Sequence, residues 1–383
     1  MADTLAAAPP ALAGADARAA RLAGEAVARF GLDLSGLTVF TEAAGGHFRW
    51  TAILALLAGA ERVDAIARDS RWASGDEAGG AVTALAEELG IADRLRIVRD
   101  HATIGEADVV TNLGFVRPID AALVARMKPT AVVPLMWETW EYRPADLDLA
   151  ACERHGVMVL GTDEHDPELR IFGYVGMLGL QLLLDAGVEV FRSRILVAGG
   201  GAFGEAAVAT LAAAGAEVRV VCAAHDRSAD AGDAWLGETL DAPAAIEFLR
   251  HADALLFMEH HAEEMLVGPG AGIDAAALAA LNPGLRIAHV SGRIDADGLR
   301  AAGLEVVPAA IPAAARTMSV TTAHLGPRPL IDLHAAGLRV GQAMAEARRA
   351  SASLAEARER ALRHPLCQDF APAQLAALGI TRA

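Results

Sequence analysis

Three glycines have the spacing G-x-G-x-x-G, which is typical of loops that bind dinucleotides: Gly199, Gly201 and Gly204. An apolar run at residues 195–198 predicts a buried strand before them, and the alanine-rich stretch from Ala202 predicts a helix after them. In such a turn the first glycine permits the bend, the second lets a pyrophosphate approach, and the third lets helix and strand pack closely. The free N–H groups around Ala202 and Phe203, at the positive end of the helix, would face the phosphates. The pattern predicts a dinucleotide site, and a glycine turn without a ligand is the alternative.

The second strand of this unit is predicted at residues 218–221, and the residue that usually binds the cofactor ribose is an acid just beyond it. Here Cys222 and two alanines occupy that place, Asp226 follows a few residues late, and Arg227 comes directly after it. A carboxylate favours NAD, whereas a guanidinium can hold the 2′-phosphate of NADP. The sequence leaves NAD, NADP and a loss of cofactor binding open.

The composition limits the classes of function. Of 383 residues, 54% are hydrophobic and 21% charged, which predicts two globular domains with separate cores. The formal net charge of −16 argues against nucleic acid and against an anionic membrane surface as partners. Cys152, Cys222 and Cys367 lack metal-ligand spacing, so we expect reduced thiols in a cytoplasmic protein. We also expect no signal peptide and no membrane-spanning segment.

Predicted strands and helices alternate along the chain, which favours parallel sheets with helices on both faces. We therefore predict an α/β protein of two Rossmann-like, doubly wound domains with an interdomain cleft. The predicted first domain is 1–172, to which the C-terminal helices 331–383 return, and the dinucleotide domain is 173–330. Local predictions include a strand at 319–322, helical periodicity over 330–361 and a frayed or docked tail from 369.

Five segments share the layout of a known family: a strand-helix-strand exit at 143–159, a crossing helix at 174–185, a strand toward the nicotinamide at 251–261, a strand before an arginine at 283–293, and a diverged Thr-Pro-His segment at 321–326. With them the chain resembles the D-isomer-specific 2-hydroxyacid dehydrogenases, in the formate and glycerate dehydrogenase superfamily. The resemblance implies a flavodoxin-like domain for the substrate, a Rossmann domain for NAD or NADP, and a homodimer formed through the cofactor domain.

Reduction of a 2-oxo acid needs a cation for the substrate carboxylate and an acid that protonates the new hydroxyl. Arg293 follows a predicted buried strand and looks like the family's cation, with a surface arginine in a turn as the alternative. His324 is the candidate acid, with a loop histidine bonded to local backbone as its alternative. The family's glutamate has no clean counterpart, because Glu305 lies at the wrong end of its strand. The catalytic set is therefore incomplete in the sequence.

A second polar group follows the predicted strand at 254–258. His260 and His261 are flanked by Glu259, Glu263 and Glu264. Imidazole and carboxylate suit zinc or iron, but adjacent residues usually point to different sides of the chain. We interpret the two histidines as a polar and potentially catalytic pocket wall, and we expect no metal site.

Two loops of the predicted first domain carry candidate substrate residues: Trp137, Glu138, Trp140 and Arg143 in one, and Gly45, Gly46 and His47 in the other. The aromatic loop suits a pocket for an extended or amine-bearing substrate, or alternatively an interdomain or subunit contact. The glycine pair lacks the dinucleotide spacing and is interpreted as a substrate loop. The acidic segment 162–166 favours a substrate with a cationic group.

These features predict an NAD(P)-dependent oxidoreductase that acts by hydride transfer on a small 2-oxo or 2-hydroxy acid, or on an imino or amino acid. One alternative is a protein that retains NAD for a non-dehydrogenase reaction. The other is a catalytically silent cofactor-binding protein. The expected partners are a small-molecule substrate and a second copy of the chain.

Overall fold

The chain forms two compact units in the computed structural model, which describes residues 14–229 and 231–382. The first unit consists of the described parts of Met1–Arg170 and Gly326–Ala383, and the second unit is Ile171–Leu325. The amino-terminal stretch that bears on the signal-peptide prediction lies outside the described residues.

Each unit is built around a sheet whose strands alternate with helices in the chain. The strands are β1 Thr38–Glu42, β2 Arg62–Ile66, β3 Leu95–Val98, β4 Val109–Val110, β5 Val132–Pro134, β6 Met158–Thr162, β7 Arg194–Ala198, β8 Glu217–Val221, β9 Trp235–Gly237, β10 Ala254–Met258, β11 Met265–Val267, β12 Arg286–Ser291, β13 Arg293–Ile294, β14 Glu305–Val307 and β15 Cys367–Gln368. The helices are α1 Gly14–Arg29, α2 Trp50–Leu57, α3 Gly75–Glu88, α4 Ala121–Val124, α5 Leu149–His155, α6 Ile171–Asp185, α7 Gly201–Ala213, α8 Pro243–Leu249, α9 Ala275–Leu281, α10 Ala296–Ala301, α11 Pro327–Ala350, α12 Leu354–Ala361 and α13 Pro372–Ala377.

The sheet of the first unit has the strand order β15-β6-β5-β4-β1-β2-β3. Its neighbouring strands are parallel except for β15, which pairs antiparallel with β6. One face packs on a core that includes Phe40 and Val133, together with α4 and α5. The long helix α11 lies very close to β4 and β5, because Cβ atoms at Gly337 and Gly341 would overlap Met136 and Val109.

The sheet of the second unit has the order β14-β12-β10-β7-β8-β9, and all its neighbours are parallel. This order is that of a Rossmann fold, in which the winding reverses between β7 and β10. Successive residues of β7 face opposite cores: Ile195 and Val197 pack with α6 and α7, and Leu196 and Ala198 pack with α8, α9 and α10. The predicted α/β class, with two doubly wound parallel-sheet units, is confirmed.

Some local predictions were wrong. Residues 319–322 do not form a strand, since only the Ser319 amide bonds to the neighbouring strand, at the Val290 carbonyl (2.8 Å). The helical stretch over 330–361 is interrupted after α11, and Ser353 caps the start of α12 by accepting a hydrogen bond from the Glu356 amide. The tail is docked, with Phe370 and Leu375 buried in the first unit's core. The elements β9, β11 and α8 were not predicted.

Candidate functional site

The glycine turn joins β7 to α7 at the carboxyl edge of the second sheet. Gly199 has a φ of 130° and Gly201 a φ of 56°, which residues with side chains rarely adopt. A Cβ atom at Gly199 would lie 2.5 Å from the backbone of Glu259, and one at Gly204 would lie 2.2 Å from the carbonyl oxygen of Gly199. Backbone packing therefore requires glycine at the first and third positions, and the backbone conformation favours it at the second.

The amino end of α7 has the character of an anion site. Gly200 is the N-cap, it provides no side-chain cap, and the first turn contains no acidic residue. The N–H groups of the first turn, among them those of Ala202 and Phe203, have no partner within the helix. The positive end of the helix is therefore not neutralised by its own first turn.

Two adjacent histidines lie against this turn. The His260 ring stacks on the Phe203 ring, with 4.2 Å between centroids and 7° between planes. The His261 ring lies beside Gly201, where a Cβ atom would be 3.1 Å from its Cε1. The backbone of His261 is held on both sides: its amide donates to Glu259 Oε1 (2.8 Å), and its carbonyl accepts from Arg316 Nε (2.9 Å).

Asp226 reaches the glycine turn although it is late in the sequence. A 3₁₀ turn, Ala224–Asp226, folds back after β8, and the Asp226 carbonyl would be 2.5 Å from a Cβ atom at Gly200. Its Oδ1 lies 3.5 Å from His261 Nδ1. The next residue, Arg227, is directed elsewhere and lies over the Trp235 ring at 4.8 Å.

A cavity of about 250 Å³ opens where β7, β8, β9 and β10 end. Four acidic residues contribute to its wall: Glu238, Asp241, Glu259 and Glu264. Among the described residues that line it, none is Arg, Lys or His. In this fold the adenosine half of a dinucleotide binds between the same strand ends.

Arg293 is exposed at the start of β13, just beyond the carboxyl end of β12, and its Nη1 is 3.5 Å from the Glu263 carbonyl. Arg316, which was not predicted, lies in the same region. Its Nη2 is 3.5 Å from Glu263 Oε1 in addition to its bond with the carbonyl of His261. Its isolated position in a loop gave no sequence signal.

The structure does not bring His324 to the glycine turn. Its Nε2 lies 3.7 Å from Oδ2 of Asp185, the last residue of α6. Helix α6 starts with Phe172 near Phe203, at the carboxyl edge, and ends shortly before β7 begins at the amino edge. His324 therefore lies toward the opposite edge of the sheet.

A different histidine occupies the carboxyl end of β12. His289 is fully buried, its Nε2 is 2.7 Å from the Gly292 carbonyl, and its Nδ1 is 2.5 Å from Ser319 Oγ. Burial lowers the pKa of His289, against the opposing effect of its bond to Gly292. Sequence reasoning missed this pair because the two residues are 30 positions apart.

In the first unit the aromatic loop gathers carboxylates at the carboxyl edge of its sheet. Glu138 is buried and accepts hydrogen bonds from Trp140 Nε1 (2.6 Å) and Gln368 Nε2 (3.1 Å). Burial and the charge of Glu138 raise the pKa of Glu141 to about 7, and Arg143 opposes the shift. Burial and the charges of Glu141 and Glu138 raise the pKa of Glu164. Trp137 lies under the Arg117 guanidinium, 5.4 Å away.

The loop after β1 lies at the same edge of the first unit. Gly45 precedes a 3₁₀ helix, Gly46–Arg49, in which Gly46 has a φ of 60°. Burial and Arg49 lower the pKa of His47, while Asp16 raises it. The sheet's topology thus places both predicted substrate loops at one edge.

Over residues 14–229 and 231–382, no three or more His, Cys, Asp or Glu side chains are grouped so that they could hold a metal ion. No helix in that same part of the chain is both long enough and apolar enough to cross a membrane.

No protein-family model matches the sequence, and no curated protein matches it either. Solved structures do match. An oxidoreductase from Ralstonia solanacearum, described as a D-3-phosphoglycerate dehydrogenase, has a TM-score of 0.50 at 12% identity over 86% of this chain and 100% of that one. A 2-hydroxyacid dehydrogenase from Ketogulonicigenium vulgare Y25 has a TM-score of 0.46 at 17% identity, over 82% and 96%. A dipicolinate synthase from Bacillus halodurans has a TM-score of 0.49 at 11% identity, over 82% and 99%.

The match to the Ralstonia protein shows a shared fold. It confirms the expected resemblance to the D-isomer-specific 2-hydroxyacid dehydrogenases at the level of the fold. The protein therefore has a dehydrogenase-like architecture.

Proposed function

We propose that this protein is an NAD-dependent oxidoreductase that transfers hydride to or from a small 2-oxo or 2-hydroxy acid, or the corresponding imino or amino acid. The observation that carries the proposal is the glycine turn at the amino end of α7. Its three glycines are needed for backbone geometry and close packing, in a sheet with Rossmann strand order.

The residues around the turn fit a nicotinamide dinucleotide. The N–H groups of Ala202 and Phe203 would bind the diphosphate, and the half-exposed ring of His261 would contact the same phosphates beside Gly201. Asp226 would accept hydrogen bonds from the ribose hydroxyls. When bound, the nicotinamide supplies the hydride acceptor or donor.

NAD is favoured over NADP by the charges near the turn. A 2′-phosphate would meet the carboxylates of Asp226, Glu238 and Asp241, while Arg227 is engaged with Trp235. Like charges in a partly dehydrated cavity repel more strongly than in water.

Arg293 is the proposed cation for the substrate carboxylate, because it is exposed beyond β12 on the cofactor-binding edge of the sheet. Its guanidinium suits bidentate binding of a carboxylate. His260 and His261 are proposed to contact the cofactor and shape its pocket. Because His324 lies toward the other edge of the sheet, we do not assign the proton-transfer role to it.

In the first unit, Trp137, Glu138, Trp140 and Arg143, with Gly45, Gly46 and His47, are proposed to bind substrate. The buried and partly neutralised carboxylates of this region suit a substrate that carries an amine or imine nitrogen.

A homodimer and a cytoplasmic location complete the proposal. Three large apolar side chains of the second unit are well exposed, namely Met177 (46%), Leu184 (48%) and Phe191 (68%), as expected of a surface that associates. All three cysteines are buried and unpaired, which suits a reducing compartment. Sedimentation velocity tests the dimer directly.

The decisive experiment is a thermal-shift titration with NAD⁺, NADH, NADP⁺ and NADPH, since a ligand that binds the folded state raises the melting temperature. We expect NADH to raise it at lower concentration than NADPH. No shift with any of the four would contradict the proposed function.

Asp226→Ala tests the ribose role. It should weaken NADH binding about tenfold, which is the usual worth of a charged hydrogen bond, and should narrow the preference over NADPH. Asp297→Ala is the matched control, because that carboxylate is fully exposed in the same unit. Equal binding of NADH by Asp226→Ala and the control would remove Asp226 from the site.

A further inference from the structure

We propose that Ser319 and His289 form a proton relay for the hydride-transfer reaction, in which the Ser319 hydroxyl contacts the reacting oxygen of the substrate. This inference rests on the proposed function. It assigns the acid–base role to a pair of residues that the sequence resemblance did not indicate.

Hydrogen bonds determine the tautomer of His289. The Gly292 carbonyl can only accept, so Nε2 of His289 carries a proton and donates to it (2.7 Å). In the neutral ring Nδ1 is then the acceptor, and Ser319 Oγ donates to it (2.5 Å). The serine hydroxyl therefore already points its proton at a base.

The position of Ser319 suits this role. Its amide bonds to the Val290 carbonyl, near the carboxyl end of β12, so the residue lies at the edge of the sheet that binds ligands in this fold. Three residues earlier Arg316 binds the carbonyl of His261, which follows β10. The segment 316–319 thus runs along the ends of both strands. Ser319 is partly exposed there, whereas His289 is fully buried behind it.

The proton balance is complete. In the oxidative direction the substrate hydroxyl gives its proton to Ser319 Oγ, whose own proton moves to Nδ1 of His289. The hydride of the same carbon passes to an oxidised nicotinamide, so that the C–OH group becomes C=O. His289 then carries protons on both nitrogens and keeps its bond to Gly292, and reduction follows the reverse path.

The test compares Ser319→Ala, Ser319→Thr and the control Thr317→Val with the wild type. Thr317 lies on the same segment, and its hydroxyl binds only the local Ala315 carbonyl (3.2 Å). NADH affinity is measured by fluorescence, and kcat and KM are measured with a panel of 2-oxo acids, with and without ammonia. We expect Ser319→Ala to lower kcat about 100-fold, which is typical for loss of an acid–base group, with NADH affinity unchanged. Ser319→Thr should restore much of kcat, and Thr317→Val should leave it unchanged.

A second readout does not depend on turnover. Nitrogen-15 NMR of histidine-labelled protein, with His289 assigned by His289→Gln, should show Nδ1 unprotonated and strongly shifted in Ser319→Ala. A protonated Nδ1 in the neutral ring, or an unchanged kcat in Ser319→Ala, would overturn the relay. A wild type that neither binds NADH nor turns over any acid would instead overturn the proposed function, and that result is seen before any variant is compared.

Discussion

The imidazole ring of His260 lies nearly parallel to the phenyl ring of Phe203, 4.2 Å away between centroids. This contact joins the loop after β10 to the first turn of α7, across the point where the winding of the sheet reverses. It also sets the position of His261 beside Gly201. The stack is therefore part of the structure that shapes the proposed diphosphate site.

Removing the stacked ring should affect both stability and binding. Phe203→Ala should lower the free energy of unfolding by about 3 kcal/mol, as for other buried aromatics, and should weaken NADH binding because His260 and His261 lose their support. Chemical denaturation and NADH fluorescence measure the two effects. Phe191→Ala is the control, since Phe191 is 68% exposed in the same unit. Intact NADH affinity in Phe203→Ala would show that the stack does not position the site.

The third glycine of the turn can be tested against a matched glycine. In Gly204→Ala the new methyl group would meet the Gly199 carbonyl, which should cost about 1–3 kcal/mol and abolish NADH binding. Gly173→Ala in α6 has no neighbour within 4 Å, so it should be neutral or slightly stabilising. Thermal melts with and without NADH measure both. A fully active Gly204→Ala would contradict the proposed packing role of the turn.

Arg293→Ala should reduce kcat/KM for a 2-oxo acid about 100-fold, because a bound carboxylate would lose its charged partner. NADH affinity should be unchanged. Steady-state kinetics and fluorescence titration separate these effects. Arg250→Ala provides the control, since Arg250 forms only an exposed pair with Glu247 on α8. Equal activity of both variants would exclude Arg293 as the substrate cation.

The buried His334 should make the first unit sensitive to acid. It is hydrogen-bonded to Thr51 (2.6 Å), and burial lowers its pKa to about 4. An unfolded histidine has a pKa of about 6.5, so the unfolded state binds the proton first as the pH falls. Stability should therefore fall between about pH 6.5 and 4, by about 2 kcal/mol at pH 5.

Urea denaturation from pH 7.5 to 5 measures this contribution as the difference between wild type and His334→Gln. The variant should lose less stability over that range than the wild type. His251→Gln, at an exposed position, should behave like the wild type. Parallel pH profiles for wild type and His334→Gln would disprove the assignment.

Glu141 should have the opposite effect on pH dependence. Its pKa of about 7, raised by burial and Glu138, means that the folded state binds a proton that the unfolded state has lost above about pH 4.5. Stability from this group is complete at low pH and is lost as the pH rises toward 7. Glu141→Gln should therefore stabilise the protein by about 1 kcal/mol at pH 8, after allowance for solvent screening, and have little effect at pH 4.

Denaturation at both pH values checks this prediction. Glu168→Gln, at an exposed position of the loop after β6, is the control and should have no pH-dependent effect. A destabilised Glu141→Gln at pH 8 would mean that the ionised carboxylate is favoured in the folded protein.

Several parts of the site could be predicted because they depend on local order in the chain. The sequence around Gly199, Gly201 and Gly204 contains its own strand, turn and helix, and neighbouring strands of a parallel sheet end at one edge. For the same reason His261 and Asp226 were recognised as candidates. Their contact with Gly201 and Gly200 depends on how two separate loops fold back.

The sequence by itself determined the alternation of strands and helices, the glycine turn and the doubly wound class, since each follows from short-range spacing and burial. Only the tertiary structure decided that Arg227 lies over Trp235, that His324 lies toward the amino edge, and that His289 meets Ser319. These contacts join residues brought together by loop conformation. Loop conformation depends on the packing of distant segments, so it leaves no periodic pattern in the sequence.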